Sequence, residues 1–205
     1  MASKGGPRAA GTDGMDFKHR QTIASHYQIS VQYKFYLKCL IVVHFFTLFA
    51  MWAKVGGEFL AREFGISSTL WKRLDLPTAY PWEYVWCLSF IPCIFAILSF
   101  PKNQMKYMTY HYYGHFVFGI LPCCIGLGGQ FPELLDYLSN MENSKTPTFK
   151  GNFPMVILWY IFFLVAFQIH CFAMYFSTCL LEAWRPVTAQ TKNNERVPRE
   201  KKKSE

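Results

Sequence analysis

The sequence predicts an all-α membrane protein with four transmembrane helices, and three observations lead to this fold class. Of its 205 residues, 52% are hydrophobic and 17% are charged, and the mean hydropathy of +0.10 is high for a soluble domain. Four long stretches contain no Lys, Arg, Asp or Glu. The basic residues cluster in segments that share one side of a four-span topology. A water-soluble enzyme domain and an intrinsically disordered chain are therefore disfavoured.

The first two predicted spans are short. The charge-free run from Cys39 to Ala53 extends to about 35–53, because Lys38 can lay its methylenes along the lipid while its ammonium reaches the headgroups. The second span covers about 84–100. At about 1.5 Å per residue, both suit a thin bilayer such as that of the endoplasmic reticulum. A buried soluble helix or a re-entrant segment is the alternative for both, but flanking Trp and Tyr residues favour membrane spans.

The third and fourth spans are longer, at about 107–131 and 153–181, and each exceeds the roughly 18 apolar residues that predict a transmembrane helix. Together the four spans form one transmembrane domain of residues 35–181. The remaining segments are an N-terminal tail (1–34), two loops (54–83 and 132–152) and a basic C-terminal tail (182–205).

The distribution of basic residues predicts the orientation. Six Lys or Arg residues lie at or before Lys38, two lie between spans two and three, and seven follow span four, against six in the two loops. Because positively charged segments stay in the cytosol, both termini are predicted to be cytosolic and both loops lumenal. A nucleic-acid-binding surface is the competing explanation for the net charge of +8, but the sequence offers no folded basic domain to present one.

Four histidines fall inside the predicted spans: His44, His111, His115 and His170. His111 and His115 share a helix face, and paired imidazoles in a helical bundle are one way to hold haem or a metal ion. The predicted spans contain no carboxylate, however, and no H-E-x-x-H pattern occurs. We therefore assign no metal ligand, cofactor or catalytic residue, and expect His44, Gln168 and His170 to form interhelical hydrogen bonds. A histidine-based redox (haem) protein is the alternative.

Spans two and three share a short motif, Ile91-Pro92-Cys93 and Leu121-Pro122-Cys123. Proline breaks in oppositely oriented helices can mark a transport site, so a small transporter is a further alternative. Because no intramembrane carboxylate is available to relay protons or coupling ions, a packing kink is the favoured interpretation. The nearby glycines Gly126, Gly128 and Gly129 are expected to permit close helix approach or an exit turn.

Several segments resemble one known family. The N-terminal run from Gly6 to Arg20, followed by His26-Tyr27-Gln28-Ile29-Ser30, closely resembles the opening of the Jagunal family of endoplasmic-reticulum membrane proteins. Three further segments are similar to the same family: Trp82-Glu83-Tyr84, Leu98-Ser99-Phe100-Pro101 and Gln168-Ile169-His170. The resemblance implies a role in endoplasmic-reticulum organisation and in vesicle traffic of the early secretory pathway. The sequence itself favours a non-enzymatic adaptor or scaffold.

The C-terminal tail carries a candidate sorting signal. Lys202 and Lys203 stand fourth and third from Glu205, the last residue of the sequence, and this spacing matches the di-lysine pattern that the COPI coat recognises on cytosolic tails. Two ammonium groups can pair with acidic side chains of a coat subunit while the terminal carboxylate is captured separately. A solubilising tail, or general attraction to anionic lipid headgroups, is the alternative. The expected partners are COPI subunits, membrane lipids, and unidentified secretory cargo or membrane proteins.

The predicted orientation is tested by protease protection on intact microsomes. We expect a tag at the C-terminus to be digested and a tag inserted near Asn143 to be protected, because the more basic side faces the cytosol. The opposite pattern of protection would show that the orientation is inverted.

Overall fold

The fold is almost entirely helical. The computed structural model describes residues 15–65, 69, 77–141, 144–149 and 153–185. Four helical segments within these ranges are long and apolar enough to cross a membrane, which confirms the predicted all-α, four-span architecture. The elements in chain order are α1 (Met15–Phe64), α2 (Pro81–Cys87), α3 (Phe90–Ser99), α4 (Met105–His115), a π-helical turn (Phe116–Ile120), α5 (Leu121–Ser139), β1 (Thr148–Phe149), β2 (Phe153–Pro154) and α6 (Met155–Ala183). The two short strands pair antiparallel.

Helix α1 is much longer than its predicted span of 35–53. No proline occurs between Met15 and Phe64, so every residue of this stretch keeps the backbone N–H that a helix needs. The helix ends before Gly65, whose φ of +65° is the left-handed conformation that commonly terminates helices. Helix α1 therefore takes in residues that the sequence analysis assigned to the N-terminal tail and to the loop 54–83.

Two prolines shape spans two and three. Pro92 has no N–H to donate to the carbonyl of Leu88, and the helix is interrupted at this point, between α2 and α3. The Leu88 carbonyl instead accepts a hydrogen bond from the N–H of Ile91 at 3.0 Å. Pro122 lies in the first turn of α5, immediately beyond the π-helical turn. Each proline thus coincides with a departure from regular α-helix inside a span.

Side-chain contacts show which ends of the helices lie together. The ammonium of Lys34 donates to the carbonyl of Phe100 at 2.9 Å, and the indole of Trp184 donates to Ser30 Oγ at 2.8 Å. The N-terminal part of α1, the turn between α3 and α4, and the C-terminal end of α6 therefore meet at one end of the bundle. At the other end, the indole of Trp52 donates to the carbonyl of Cys87 at 3.0 Å.

The apolar core consists of two separate clusters along the bundle. One cluster lies towards the Trp52 end and contains Leu48, Met51, Val55, Trp82, Trp86, Cys87, Cys123, Met155, Trp159, Phe163 and Ala166. The other lies towards the Lys34 end and contains Leu37, Ile41, Cys93, Ala96, Phe100, Met108, Ala173 and Leu180. On α1 and α6, buried His44 and His170 fall between the residues of the two clusters. A polar layer therefore separates two apolar layers.

We expect Gly126→Ala to destabilise the bundle while Gly128→Ala does not. A Cβ atom at Gly126 would lie 2.6 Å from Cζ of Phe163 and 2.9 Å from Cδ2 of Trp82, whereas a Cβ at Gly128 meets no atom within 4 Å. Overpacking of this kind costs about 1–3 kcal/mol. The thermal midpoint of the detergent-solubilised protein should fall for Gly126→Ala and stay level or rise for Gly128→Ala. Equal midpoints for both variants would contradict the close packing of α5 against Phe163.

Candidate functional site

Three imidazole side chains from three different helices meet in the polar layer. His44 on α1, His115 on α4 and His170 on α6 are each at most 1% exposed. One ring nitrogen from each residue lies within 4.8 Å of the other two. The closest pair is Nδ1 of His115 and Nδ1 of His170, at 2.8 Å. We call these three residues the histidine cluster.

Helices α2 and α3 surround the histidine cluster with hydrogen-bonding groups. The indole N–H of Trp86 donates to Nε2 of His170 at 3.0 Å. Nε2 of His44 lies 2.9 Å from the hydroxyl oxygen of Ser89. The thiol sulfur of Cys93 lies 3.6 Å from Nδ1 of His44 and 4.0 Å from Nε2 of His115. All four spans therefore contribute to one buried polar group.

The indole of Trp86 determines where the ring protons are. An indole N–H can only donate, so Nε2 of His170 must be the acceptor and the proton of this neutral ring is on Nδ1. That proton is donated to Nδ1 of His115, which places the proton of His115 on Nε2, facing the sulfur of Cys93. The hydrogen bonds therefore run in one direction, from Trp86 through two imidazoles to Cys93.

His111 extends the polar layer by one helical turn. Its ring centroid is 4.3 Å from that of His115, and its Nδ1 donates to the carbonyl of Pro92 at 2.8 Å. Nε2 of His111 is buried and has no hydrogen-bond partner among the described residues. The Ile91-Pro92-Cys93 motif thus presents a carbonyl to His111 and a thiol to the histidine cluster.

The π-helical turn brings the backbone of span three against His170. A Cβ atom at Gly119, within this turn, would lie 2.3 Å from Nδ1 of His170. Only a residue without a side chain leaves room for the imidazole here. Single π-helical turns occur frequently at functional sites, because they shift the side chains that follow out of regular α-helical register.

The geometry of the histidine cluster does not suit haem. Two nitrogens that bind opposite faces of one iron are about 4 Å apart, with the macrocycle between them. Nδ1 of His115 and Nδ1 of His170 are only 2.8 Å apart, and the backbone at Gly119 closes one side of the His170 ring. The haem alternative of the sequence analysis is therefore not favoured.

A buried ion pair lies at the Trp52 end of the bundle. The ammonium of Lys54 contacts both carboxylate oxygens of Glu83, at 2.8 and 2.6 Å. Glu83 is fully buried, and its carboxylate also accepts from the N–H of Tyr80 at 3.2 Å. The Lys54 ammonium is 4.7 Å from the ring centroid of Trp159. This pair ties α1 to the start of α2 and to α6.

The residues predicted to form interhelical hydrogen bonds or a sorting signal do not lie at one site. His44 and His170 both belong to the histidine cluster and hydrogen-bond to groups on α2, α4 or the turn before α3. Gln168 lies on the exposed side of α6. Lys202 and Lys203 lie outside the described residues.

Sequence reasoning missed several groups of the polar layer. Trp86, near the start of predicted span two, has a position typical of a membrane-interface residue, but its side chain is fully buried. No sequence pattern points to Ser89. Lys54 and Glu83 fall in the predicted lumenal loop 54–83, but in the structure both are buried. A signal for Glu83 was present, because Pro81 in the first helical turn with an acidic residue at the third position is a typical helix start. No local pattern indicates that Trp86 faces His170, 84 positions away.

Comparison with known proteins gives consistent matches over most of the chain. The family model "Jagunal, ER re-organisation during oogenesis" matches residues 1–188. Protein jagunal homolog of Caenorhabditis elegans is 60% identical over 187 residues, which cover 91% of this chain and 98% of that protein. Protein jagunal homolog 1 of Homo sapiens is 34% identical over 193 residues, covering 94% and 100%. Protein jagunal of Drosophila melanogaster is 33% identical over 196 residues, covering 94% and 99%.

We expect Lys54→Met and Glu83→Gln to lower stability strongly when made singly and less than additively when combined. Removing one partner of a buried pair leaves an uncompensated charge and costs about 3–5 kcal/mol, whereas removing both charges leaves none. The measurement is the thermal midpoint of the detergent-solubilised protein for the four members of this double-mutant cycle.

The exposed pair of Arg62 and Glu63 provides the matched control for this cycle. Its side chains are 58% and 50% exposed, and the two charged atoms are 3.0 Å apart. Arg62→Met should change the midpoint little, because exposed pairs contribute about 0–1 kcal/mol. Additive effects of the two substitutions at the buried pair would contradict a direct interaction.

Proposed function

The chain belongs to the Jagunal family, and from this premise we propose that it is a non-enzymatic protein of the endoplasmic-reticulum membrane that supports organisation of that membrane and vesicle-mediated transport in the early secretory pathway. The observation that carries this proposal is the family match over residues 1–188, whose description names re-organisation of the endoplasmic reticulum. The four apolar helices support residence in a membrane.

The enclosed polar layer supports a role without catalysis. The three imidazoles of the histidine cluster are at most 1% exposed and are occupied by hydrogen bonds to one another or to Trp86 and Ser89. A catalytic group has to reach its substrate within hydrogen-bonding distance. Side chains that are buried in this way stabilise helix packing, and partner binding is left to the tails and the outer helix faces.

The arrangement of charges supports the proposed orientation, with both tails in the cytosol. Lys34 and Lys38 contact the backbone or ring of Phe100 at the end of the bundle where α6 also terminates. The acidic residues Glu58 and Glu83 lie towards the other end of α1 and at the start of α2. A basic end facing the cytosol agrees with the positive-inside rule. The tail beyond α6 then extends into the compartment where coat proteins assemble.

We propose further that this tail recruits the COPI coat through Lys202 and Lys203. The register of the two lysines relative to Glu205 distinguishes this proposal from simple charge attraction. A coat subunit that captures two ammonium groups and the terminal carboxylate requires a fixed spacing between them. A lipid-attracted tail depends on total charge within about one Debye length and not on that spacing.

The test uses synthetic peptides of residues 185–205 and purified coat subunits. Lys202→Ser with Lys203→Ser should abolish binding, and appending two serines after Glu205 should weaken it nearly as much while keeping every charge. The matched control is Lys192→Ser with Arg196→Ser, which removes the same charge and leaves the register intact. Equal affinity for the native and extended peptides would exclude the di-lysine mechanism. Equal loss in the control would indicate a purely electrostatic tail.

A further inference from the structure

We propose that the turn between α3 and α4, together with the facing part of α1, binds the headgroup of a phosphoinositide, a lipid that carries phosphate on its inositol ring. The site consists of Lys34, Lys38, Lys102 and Lys106, which we call the lysine patch. These residues lie at the end of the bundle that the proposed orientation places in the cytosolic leaflet, so this inference rests on the proposed function. It does not depend on coat binding by the C-terminal tail.

Two lysines of α1 are directed at the turn between α3 and α4. The ammonium of Lys34 donates to the carbonyl of Phe100 at 2.9 Å and to Oδ1 of Asn103 at 2.5 Å. Because an ammonium has three N–H groups, one remains for a phosphate oxygen. Lys38 follows one helical turn along the same face, and its ammonium is 5.6 Å from the ring centroid of Phe100. Both ammonium groups therefore lie beside this turn.

The turn contributes the other two lysines from a defined backbone. The N–H of Gln104 donates to the carbonyl of Ser99 at 3.0 Å, and Asn103 has a φ of +50°, the left-handed conformation that commonly terminates helices. Lys102 is exposed within the turn, and Lys106 is exposed in the first turn of α4. The N-terminal end of a helix carries partial positive charge, so α4 adds to the positive potential of the four lysines.

The positive charge of the lysine patch is not offset by neighbouring carboxylates. Within the described part of the chain, no ion pair joins a lysine of the patch to an acidic side chain. Lys34 is held by a carbonyl and an amide oxygen, which are both uncharged. Glu182, near the end of α6, is the one carboxylate at this end of the bundle whose side chain is described. The surface therefore has a surplus of positive charge that favours an anionic ligand.

The number of lysines favours a headgroup with more than one phosphate. The phosphodiester of an ordinary anionic lipid carries a single negative charge. A phosphate monoester on the inositol ring adds about 1.5–2 negative charges and three strong acceptor oxygens. The total of about three negative charges is close to the four positive charges of the patch, and basic pockets of this kind on the cytosolic side of membrane proteins suit phosphoinositide headgroups.

The depth of the lysine patch favours a lipid over a soluble phosphate. Lys38 lies inside predicted span one, and its ammonium reaches back to the level of Phe100, as expected of a lysine that extends from the acyl region to the headgroups. The ammonium of Lys106 is 5.9 Å from the ring centroid of the exposed Tyr110, an aromatic residue typical of the membrane interface. The patch is thus at the depth of the lipid phosphates.

The experiment measures ligand binding to the detergent-purified full-length protein by native mass spectrometry. Phosphatidylinositol 4-phosphate, phosphatidylserine and the soluble inositol bisphosphate headgroup are added separately. We expect the phosphoinositide to bind at least about tenfold more tightly than either of the others. Lys38→Gln, Lys102→Gln and Lys106→Gln together should lower its affinity about 100-fold, because one basic residue at an anionic surface contributes about fivefold. Lys34 is kept, because its contacts hold the turn.

The matched control is the triple variant Lys192→Gln, Arg196→Gln and Arg199→Gln, which removes the same charge from the C-terminal tail and should bind the phosphoinositide like the wild type. Equal loss in the two triple variants, or equal affinity of the wild type for phosphatidylserine, would overturn the proposal in favour of general charge attraction. Equal affinity for the soluble headgroup would overturn the assignment to a lipid.

The three substituted lysines are exposed, so the patch variant is expected to fold. The comparison of ligands in the wild type tests the proposal even if it does not. Because both ends of the bundle are accessible in a micelle, an inverted orientation in the protease-protection test would leave this measurement unaffected. Failure of the proposed orientation and failure of the lysine patch are therefore distinguishable.

Discussion

The fold depends on one constraint: a polar side chain inside an apolar bundle has to find its hydrogen-bond partner within the protein. His44, His115 and His170 meet this requirement together. The hydrogen bonds of their ring nitrogens all join different helices or the turn before α3. Their mutual distances fix the relative depth of α1, α4 and α6. The apolar clusters on either side then pack in the register that the polar layer sets.

Irregular backbone makes this arrangement possible. A regular helix through residues 105–139 would carry a uniform rotation per residue, but the π-helical turn at Phe116–Ile120 changes that rotation directly after His115. Gly119 lies within the turn, and any larger residue there would place its Cβ atom in the space of the His170 ring. In span two, the interruption of the helix before Pro92 also changes the rotation per residue. Ser89 and Cys93, on either side of Pro92, both contact His44 of the cluster. Each of the two Pro-Cys motifs therefore lies next to the irregular backbone that lets its span pack around the polar layer.

The sequence predicted the architecture well and the polar layer poorly. Apolar runs are local signals, so the four spans were readable from the sequence, and the proline of span two indicated where that helix is interrupted. The length of α1 could not be read from the apolar run, because charged residues such as Lys54 and Glu58 end a hydrophobic stretch without ending a helix. The meeting of Trp86 with His170 depends on helix rotation and depth, which interior packing determines. Lys54 and Glu83 fall in the predicted loop because a charged residue in a sequence indicates solvent exposure. Their burial depends on the contact between them, which no local pattern shows.

The one-way order of the hydrogen bonds bears on whether protons can cross the membrane through the bundle. A row of imidazoles across a bilayer is the ordinary means of conducting protons, since each ring can accept a proton on one nitrogen and release it from the other. Here the row begins at the indole of Trp86, which has no lone pair with which to accept. A proton cannot enter the chain at that end, and the apolar clusters keep water from both sides. The two imidazoles of this chain, His170 and His115, therefore offer no continuous path for protons between the two compartments.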